Sequence, residues 1–277
     1  MLKQRVITGL ILATVFIGVI MQDNSLWPSL LFALVLFIAT LELLALTIKP
    51  GVVASSLFAA GLVLLFWWSL PLINLQLLYW QSLAGLAIWM LIGLCLPIYR
   101  YSGNWPLLGR IVLLGLGLGL LWICIHGLIY LHQYHGGWVL LYLLTLVWVA
   151  DSGAYFSGRK FGKHKLAPAI SPGKTWEGVI GGILANLLWM LAVYQAPVMH
   201  NMIIGLNLSL PQFLLIGLAT SLISVVGDLF ESILKREAGV KDSGKILPGH
   251  GGVLDRIDSI IAASPIFVAG LFLAGTL

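Results

Sequence analysis

The residues best suited to chemistry in this 277-residue chain are carboxylates set among apolar residues. Ser221, Ser224, Asp228, Glu231 and Lys235 recur at intervals of three and four, which puts them on one stripe of a helix. Asp255 and Asp258 are i, i+3 neighbours near the expected start of another helix. Two carboxylates that close repel unless a cation sits between them. All-oxygen ligation suits a hard cation such as magnesium. Capping and dipole complementarity would account for one of the two aspartates, but not for both alongside Asp228 on a neighbouring helix. Asp151, close in sequence to Ser152, Tyr155 and Arg159, also needs a partner inside a bundle. A metal ion or an ion pair with Arg159 would serve. For Glu231 the plain alternative is an ion pair with Lys235.

Two basic loops accompany these carboxylates. The first runs from Lys160 through Lys163, His164 and Lys165 to Ser171-Pro172-Gly173-Lys174-Thr175-Trp176-Glu177-Gly178. Gly173-Lys174-Thr175 matches the end of a phosphate-binding P-loop, but the full pattern needs glycine where Pro168 stands. No strand is expected before it, so a P-loop is rejected. The phosphate logic survives in a weaker form: Ser171 is expected to cap the next helix, with Lys174 near its N-terminus, where anions are favoured. The second loop, 235–252, holds Lys235, Arg236, Lys241, Lys245, His250, Gly251 and Gly252. Its glycines permit backbone conformations that aim N–H groups at an anion. A glycine loop alone would read as a surface turn. Between two carboxylate-bearing helices it reads as a phosphate cradle. His250 fits either loop packing or a catalytic contact.

The elements that must hold these groups are membrane helices. Hydrophobic residues make up 60% of the chain and charged residues 9%, with a mean hydropathy of +1.03. An ordinary soluble domain carries roughly a quarter charged residues. The composition excludes a disordered chain and a nucleic-acid-binding module, and it speaks against a soluble enzyme. Nine spans are expected, at 6–21, 27–48, 52–70, 76–98, 111–132, 138–158, 177–196, 212–234 and 256–277. The fold class is therefore all-α, a polytopic membrane bundle. Residues 1–150 are expected to form an N-terminal set of spans, and 151–277 a transmembrane region whose inner loops carry the candidate catalytic residues. The first span, behind Lys3 and Arg5, is read as retained, because no small-residue cleavage site follows it. With the N-terminus inside, all 15 Lys and Arg residues fall on the inner side. Eight of the ten acids lie between 151 and 258; the other two are Asp23 and Glu42. Cys95 and Cys124 sit in apolar runs and behave as small hydrophobes. No internal repeat supports an inverted-repeat transporter.

The run Ser232-Ile-Leu-Lys235-Arg236, four residues, Lys241-Asp242-Ser-Gly244, two residues, Leu247-Pro248-Gly-His250-Gly251-Gly252-Val-Leu-Asp255-Arg256-Ile-Asp258 resembles the signature of the phosphatidate cytidylyltransferase family. The segment from Asp151-Ser-Gly-Ala154-Tyr155 to Thr175-Trp-Glu177-Gly178 resembles the same family. The resemblance covers roughly residues 151 to 258; the first 150 match only as a series of apolar spans.

The resemblance implies that phosphatidic acid attacks the α-phosphorus of CTP, giving CDP-diacylglycerol and pyrophosphate, with magnesium, at the cytoplasmic face of a bacterial-type inner membrane. It also carries the expectation of a homodimer. Asp228, Asp255 and Asp258 are then expected to hold one or two divalent cations, with Asp151 as a less central ligand. Lys174, Lys235, Arg236, Lys241 and Arg256 would neutralise the phosphates, helped by Ser171, His250, Gly251 and Gly252. Phosphoryl chemistry needs positioning and charge neutralisation more than a protein nucleophile. Two rival readings are a transporter with intramembrane carboxylates and a CTP-dependent lipid kinase that transfers the γ-phosphate to an alcohol.

Overall fold

The computed structural model describes residues 2–99, 103, 105–196, 205–247 and 249–277. Arg100 and Pro248 lie outside the described residues, as do the side chains of Lys3 and Arg5. The helices in chain order are α1 (Leu2–Ile20), α2 (Leu26–Leu46), α3 (Val52–Ser69), α4 (Leu75–Cys95) and α5 (Leu107–Phe161). A two-stranded hairpin follows, β1 (Lys165–Ala167) and β2 (Ser171–Thr175). Then come α6 (Trp176–Gln195), α7 (Leu210–Ala238) and α8 (Leu254–Leu273).

Seven of the helices in the described residues are long and apolar enough to cross a membrane. One of them, α5, has 55 residues. At 1.5 Å per residue it would be about 80 Å long if straight, more than twice the thickness of a bilayer core. It is broken at Gly136, where φ is 79° and ψ is 174°. That left-handed conformation is one glycine adopts without steric cost. The break coincides with the turn expected between the fifth and sixth spans. Gly137 passes so close to the carbonyl of Ile20 that a Cβ would collide with it. The expected division at residue 150 falls within α5, in the arm that runs on to Phe161.

Local sequence sets the helix ends. Asn74 caps α4 by accepting from the Leu77 N–H at 2.8 Å. Ser209 and Gln212 form a capping box at the start of α7, and Gly239 ends that helix with φ 72°. α7 reaches Ala238, four residues beyond the expected end at 234, so Lys235 and Arg236 are helical.

The hairpin is the departure from an all-helical reading. It pairs antiparallel, Lys165 with Thr175 and Ala167 with Ser171. Ser171 therefore begins a strand and does not cap α6. The cap is Thr175, whose side chain accepts from the Gly178 N–H at 3.1 Å. Pro172 and Gly173 gave the segment a loop-like composition, and a five-residue strand is too short to show a period.

The core lies among α2, α5, α7 and α8. α7 and α8 approach closely where Gly227 faces α8; a Cβ there would lie 2.5 Å from the Asp258 carbonyl oxygen and 2.9 Å from the Ala262 Cβ. Small residues at such a crossing let backbones pack without a hydrophobic driving force. One buried amide is paired across helices: Asn186 Nδ2 donates to the Leu146 carbonyl at 2.8 Å and to Ser221 Oγ at 2.6 Å, while its Oδ1 has no partner among the described residues. By contrast α3 buries only Ala59 and Phe66. Its remaining apolar surface suits contact with acyl chains.

Candidate active site

A cavity of about 570 Å³ opens where α5, β2, α6, α7 and α8 converge. α5 contributes Asp151, Tyr155 and Arg159, and the hairpin contributes Ser171 and Lys174. α7 contributes Ser221 and Asp228, while α8 contributes Asp255, Arg256, Asp258 and Ser259. Val179, Ile183, Leu222 and Val225 add an apolar wall. The helical stripe read from the sequence explains why Ser221 and Asp228 share one face of α7. Asp255 and Asp258 share a face of α8 for the same reason.

The acids in this cavity differ in how they are held. Asp228 Oδ2 lies 2.7 Å from Lys174 Nζ, and its Oδ1 accepts from Ser232 Oγ at 3.4 Å. Lys174 Nζ also donates to the Val225 carbonyl at 3.3 Å. Asp258 Oδ1 accepts the Ser259 N–H at 2.6 Å. Asp151 makes no hydrogen bond or salt bridge among the described residues, and the ion pair with Arg159 is not formed there. Arg159 instead donates to the Tyr155 hydroxyl at 3.3 Å. Asp151, Asp228 and Asp258 repel one another, while Lys174 and Arg256 attract Asp151. Like charges facing one cavity are relieved by an arriving cation.

Asp255 is held most firmly. Its Oδ1 accepts from Lys235 Nζ at 2.7 Å. Its Oδ2 accepts the Ser243 N–H at 2.9 Å, Ser243 Oγ at 3.0 Å and the Gly252 N–H at 2.8 Å. Gly251, with φ 83°, makes this approach feasible, because a Cβ there would lie 2.7 Å from Asp255 Oδ2. Asp255 thus ties the loop after α7 to the start of α8.

Three residues expected at phosphates have other partners. Lys235 bridges Glu231 at 2.5 Å and Asp255 at 2.7 Å and does not line the cavity. The Glu231–Lys235 pair foreseen as an alternative is present, extended to a second carboxylate. Arg236 Nε donates to the Ile170 carbonyl at 3.1 Å and anchors the hairpin to α7. Gly252 is buried, and its N–H serves Asp255.

The remaining loop residues border a second cavity of about 510 Å³, lined by Lys241, Asp242, Lys245, His250, Gly251 and Arg256 among others. Arg256 lines both cavities.

One residue of this neighbourhood was missed from sequence. Glu42 of α2 is 3% exposed and accepts from Ser243 Oγ at 2.9 Å, the Val253 N–H at 3.0 Å and the Leu254 N–H at 2.7 Å. Its only sequence signal was being the single acid within the first five spans.

A family model described as the cytidylyltransferase family matches residues 3–274. The phosphatidate cytidylyltransferase of Pseudomonas aeruginosa is 40% identical over 280 residues, covering 99% of this chain and 98% of its own length. The Bacillus subtilis protein of the same name is 33% identical over 283 residues, with 98% of both chains covered. The Haemophilus influenzae protein of that name is 57% identical over 139 residues, a match spanning 50% of this chain and 47% of the relative.

Proposed function

The chain belongs to the cytidylyltransferase family, and from that premise we propose how its larger cavity serves the reaction. The protein condenses CTP with phosphatidate, forming CDP-diacylglycerol and pyrophosphate in phospholipid biosynthesis. It is an integral membrane enzyme. The observation that carries the site assignment is the meeting of Asp151, Asp228 and Asp258 with Lys174, Arg159 and Arg256 around one cavity with an apolar wall.

The lipid phosphate is already anionic, so its attack on the α-phosphorus of CTP needs no strong base. What the protein must supply is alignment and charge compensation. Lys174, Arg159 and Arg256 are the cations bordering the cavity, and they neutralise the triphosphate and the lipid phosphate. In the free protein Lys174 is spent on Asp228. Substrate phosphates draw Lys174 toward themselves and release the Asp228 carboxylate. Val179, Ile183 and Leu222 offer the glycerolipid an apolar approach from between helices, with its acyl chains left in the bilayer.

The carboxylates suit magnesium. Among the described residues no three His, Cys, Asp or Glu side chains form a complete metal cage. Magnesium is commonly held by one or two carboxylates, with substrate phosphates and water filling the octahedron. Asp228 and Asp258 are the residues that would hold it, with Asp151 and Asp255 beside them. When bound, it would neutralise charge on the phosphates and on departing pyrophosphate. Lys235 and Arg236 act behind this site, on Asp255 and on the hairpin.

The loops carrying the bases face the cytoplasm in this reading, across a bacterial inner membrane. It rests on the one-sided distribution of Lys and Arg. A homodimer is proposed on family resemblance alone. The deciding experiment supplies α-labelled CTP and phosphatidate to purified protein in detergent. Label in the lipid product with release of pyrophosphate supports the assignment. Of the variants, D228N and D258N folded as wild type but with full turnover would overturn the placement of the site.

A further inference from the structure

Glu42 is a buried acid far from the large cavity's walls in sequence, and none of its contacts is to a Lys or Arg among the described residues. All three of its donors belong to the far end of the chain. Two are the backbone N–H groups of Val253 and Leu254 at the start of α8. The first turn of a helix has N–H groups without intrahelical partners, and a negative charge there is favoured. Val253, the N-cap of α8, supplies no side-chain cap. Glu42 performs that capping from another helix, 211 residues away in sequence. The backbone leaves room for it: a Cβ on Gly252 would lie 2.6 Å from both Glu42 carboxylate oxygens, and one on Gly244 would also collide with the carboxylate.

The third donor, Ser243 Oγ, sits between the Glu42 and Asp255 carboxylates and gives its single proton to one or the other. It lies 2.9 Å from Glu42 Oε2 and 3.0 Å from Asp255 Oδ2. Leu254 immediately precedes Asp255, and Asp258 is one turn further along α8. A shift of the α8 start therefore moves both aspartates.

We propose that Glu42 is a positioning residue for the cytidylyl transfer: as a carboxylate it caps α8 and fixes Asp255 and Asp258 toward the cavity. The inference rests on the reading of those aspartates as part of the reaction site. Outer-shell partners of ligating groups commonly contribute about 10- to 100-fold to activity or metal affinity, and Glu42 belongs to that class.

The test compares wild type, E42Q and E42D in detergent. E42Q keeps the shape but turns an NH₂ toward N–H donors. It is expected to speed amide exchange at Val253 and Leu254 and to lower kcat about 10- to 100-fold. The KM for CTP stays near wild type, and half-saturation by magnesium rises. E42D, a charged but shorter acid, recovers part of kcat. A purely structural residue would lower the thermal midpoint and leave kcat per folded molecule unchanged; that result overturns the proposal. Unchanged exchange at Val253 and Leu254 overturns it as well. If E42Q does not fold, E42D carries the test alone: its shorter reach must speed exchange at Val253 and Leu254 and lower kcat relative to wild type, and wild-type values of both overturn the proposal. D258N runs in parallel. An inactive D258N beside a fully active E42Q overturns the role of Glu42 alone, whereas an active D258N overturns the site reading and this inference with it.

Discussion

Lys174 Nζ sits 2.7 Å from Asp228 Oδ2 and joins the hairpin to α7 across the larger cavity. Both side chains are partly exposed, at 22% and 32%, so the pair remains open to exchange with a ligand. In the absence of substrate each charge is compensated by the other. A substrate carrying phosphates offers Lys174 a stronger partner.

Replacing Lys174 by Met is expected to lower kcat about 100- to 1,000-fold, the scale for losing one electrostatic contact to a developing charge. Combining it with D228N should cost far less than the product of the two single effects, because the residues act as a unit. Steady-state kinetics of the four proteins checks this; multiplicative effects would show that the two act separately.

Chelation of divalent cations should abolish turnover, and added magnesium should restore it. In D228N and D258N the magnesium needed for half-maximal rate should rise, while D151N should shift it less. Titration of rate against free magnesium measures the shifts.

Lys235 lies between two carboxylates, Glu231 and Asp255, and is 13% exposed. Lys235→Met leaves buried negative charge without a partner. Breaking a buried pair in this way costs about 3–5 kcal/mol, so the protein should lose thermal stability as well as activity. Adding E231Q to K235M should recover part of the midpoint, measured by unfolding in detergent.

Thr175→Ala removes the cap of α6 and should cost about 1 kcal/mol. Ser171→Ala removes no cap and should leave stability close to wild type. Thermal unfolding of the two variants separates them.

Arg236→Ala frees the Ile170 carbonyl and loosens the hairpin from α7. Trypsin should then cut more readily at Lys163, Lys165 and Lys174, and CTP should slow the cleavage. Peptide mapping of the digest reads this out.

Much of the fold was legible because a bilayer imposes strict rules. Long apolar runs must be helical there, and Gly136 stands where the fifth and sixth spans were expected to part. The carboxylate stripe of α7 and the Asp255, Asp258 pair were legible because helical spacing is local. Partner choice was not legible. Lys235 could be matched to Glu231 by its four-residue spacing, but its bond to Asp255 depends on how α8 lies against α7. Ser171 was mistaken for a cap because the hairpin gives no periodic signal. Glu42 was invisible as a cap, since its donors lie more than 200 residues away and no short-range pattern links them.

Arg256 borders both the carboxylate cavity and the basic loop cavity. A guanidinium is a planar fork with five N–H donors in fixed relation. Turning it toward one cavity withdraws donors from the other. Two anions drawing on this one guanidinium would be thermodynamically linked, each changing the affinity of the other by the same factor.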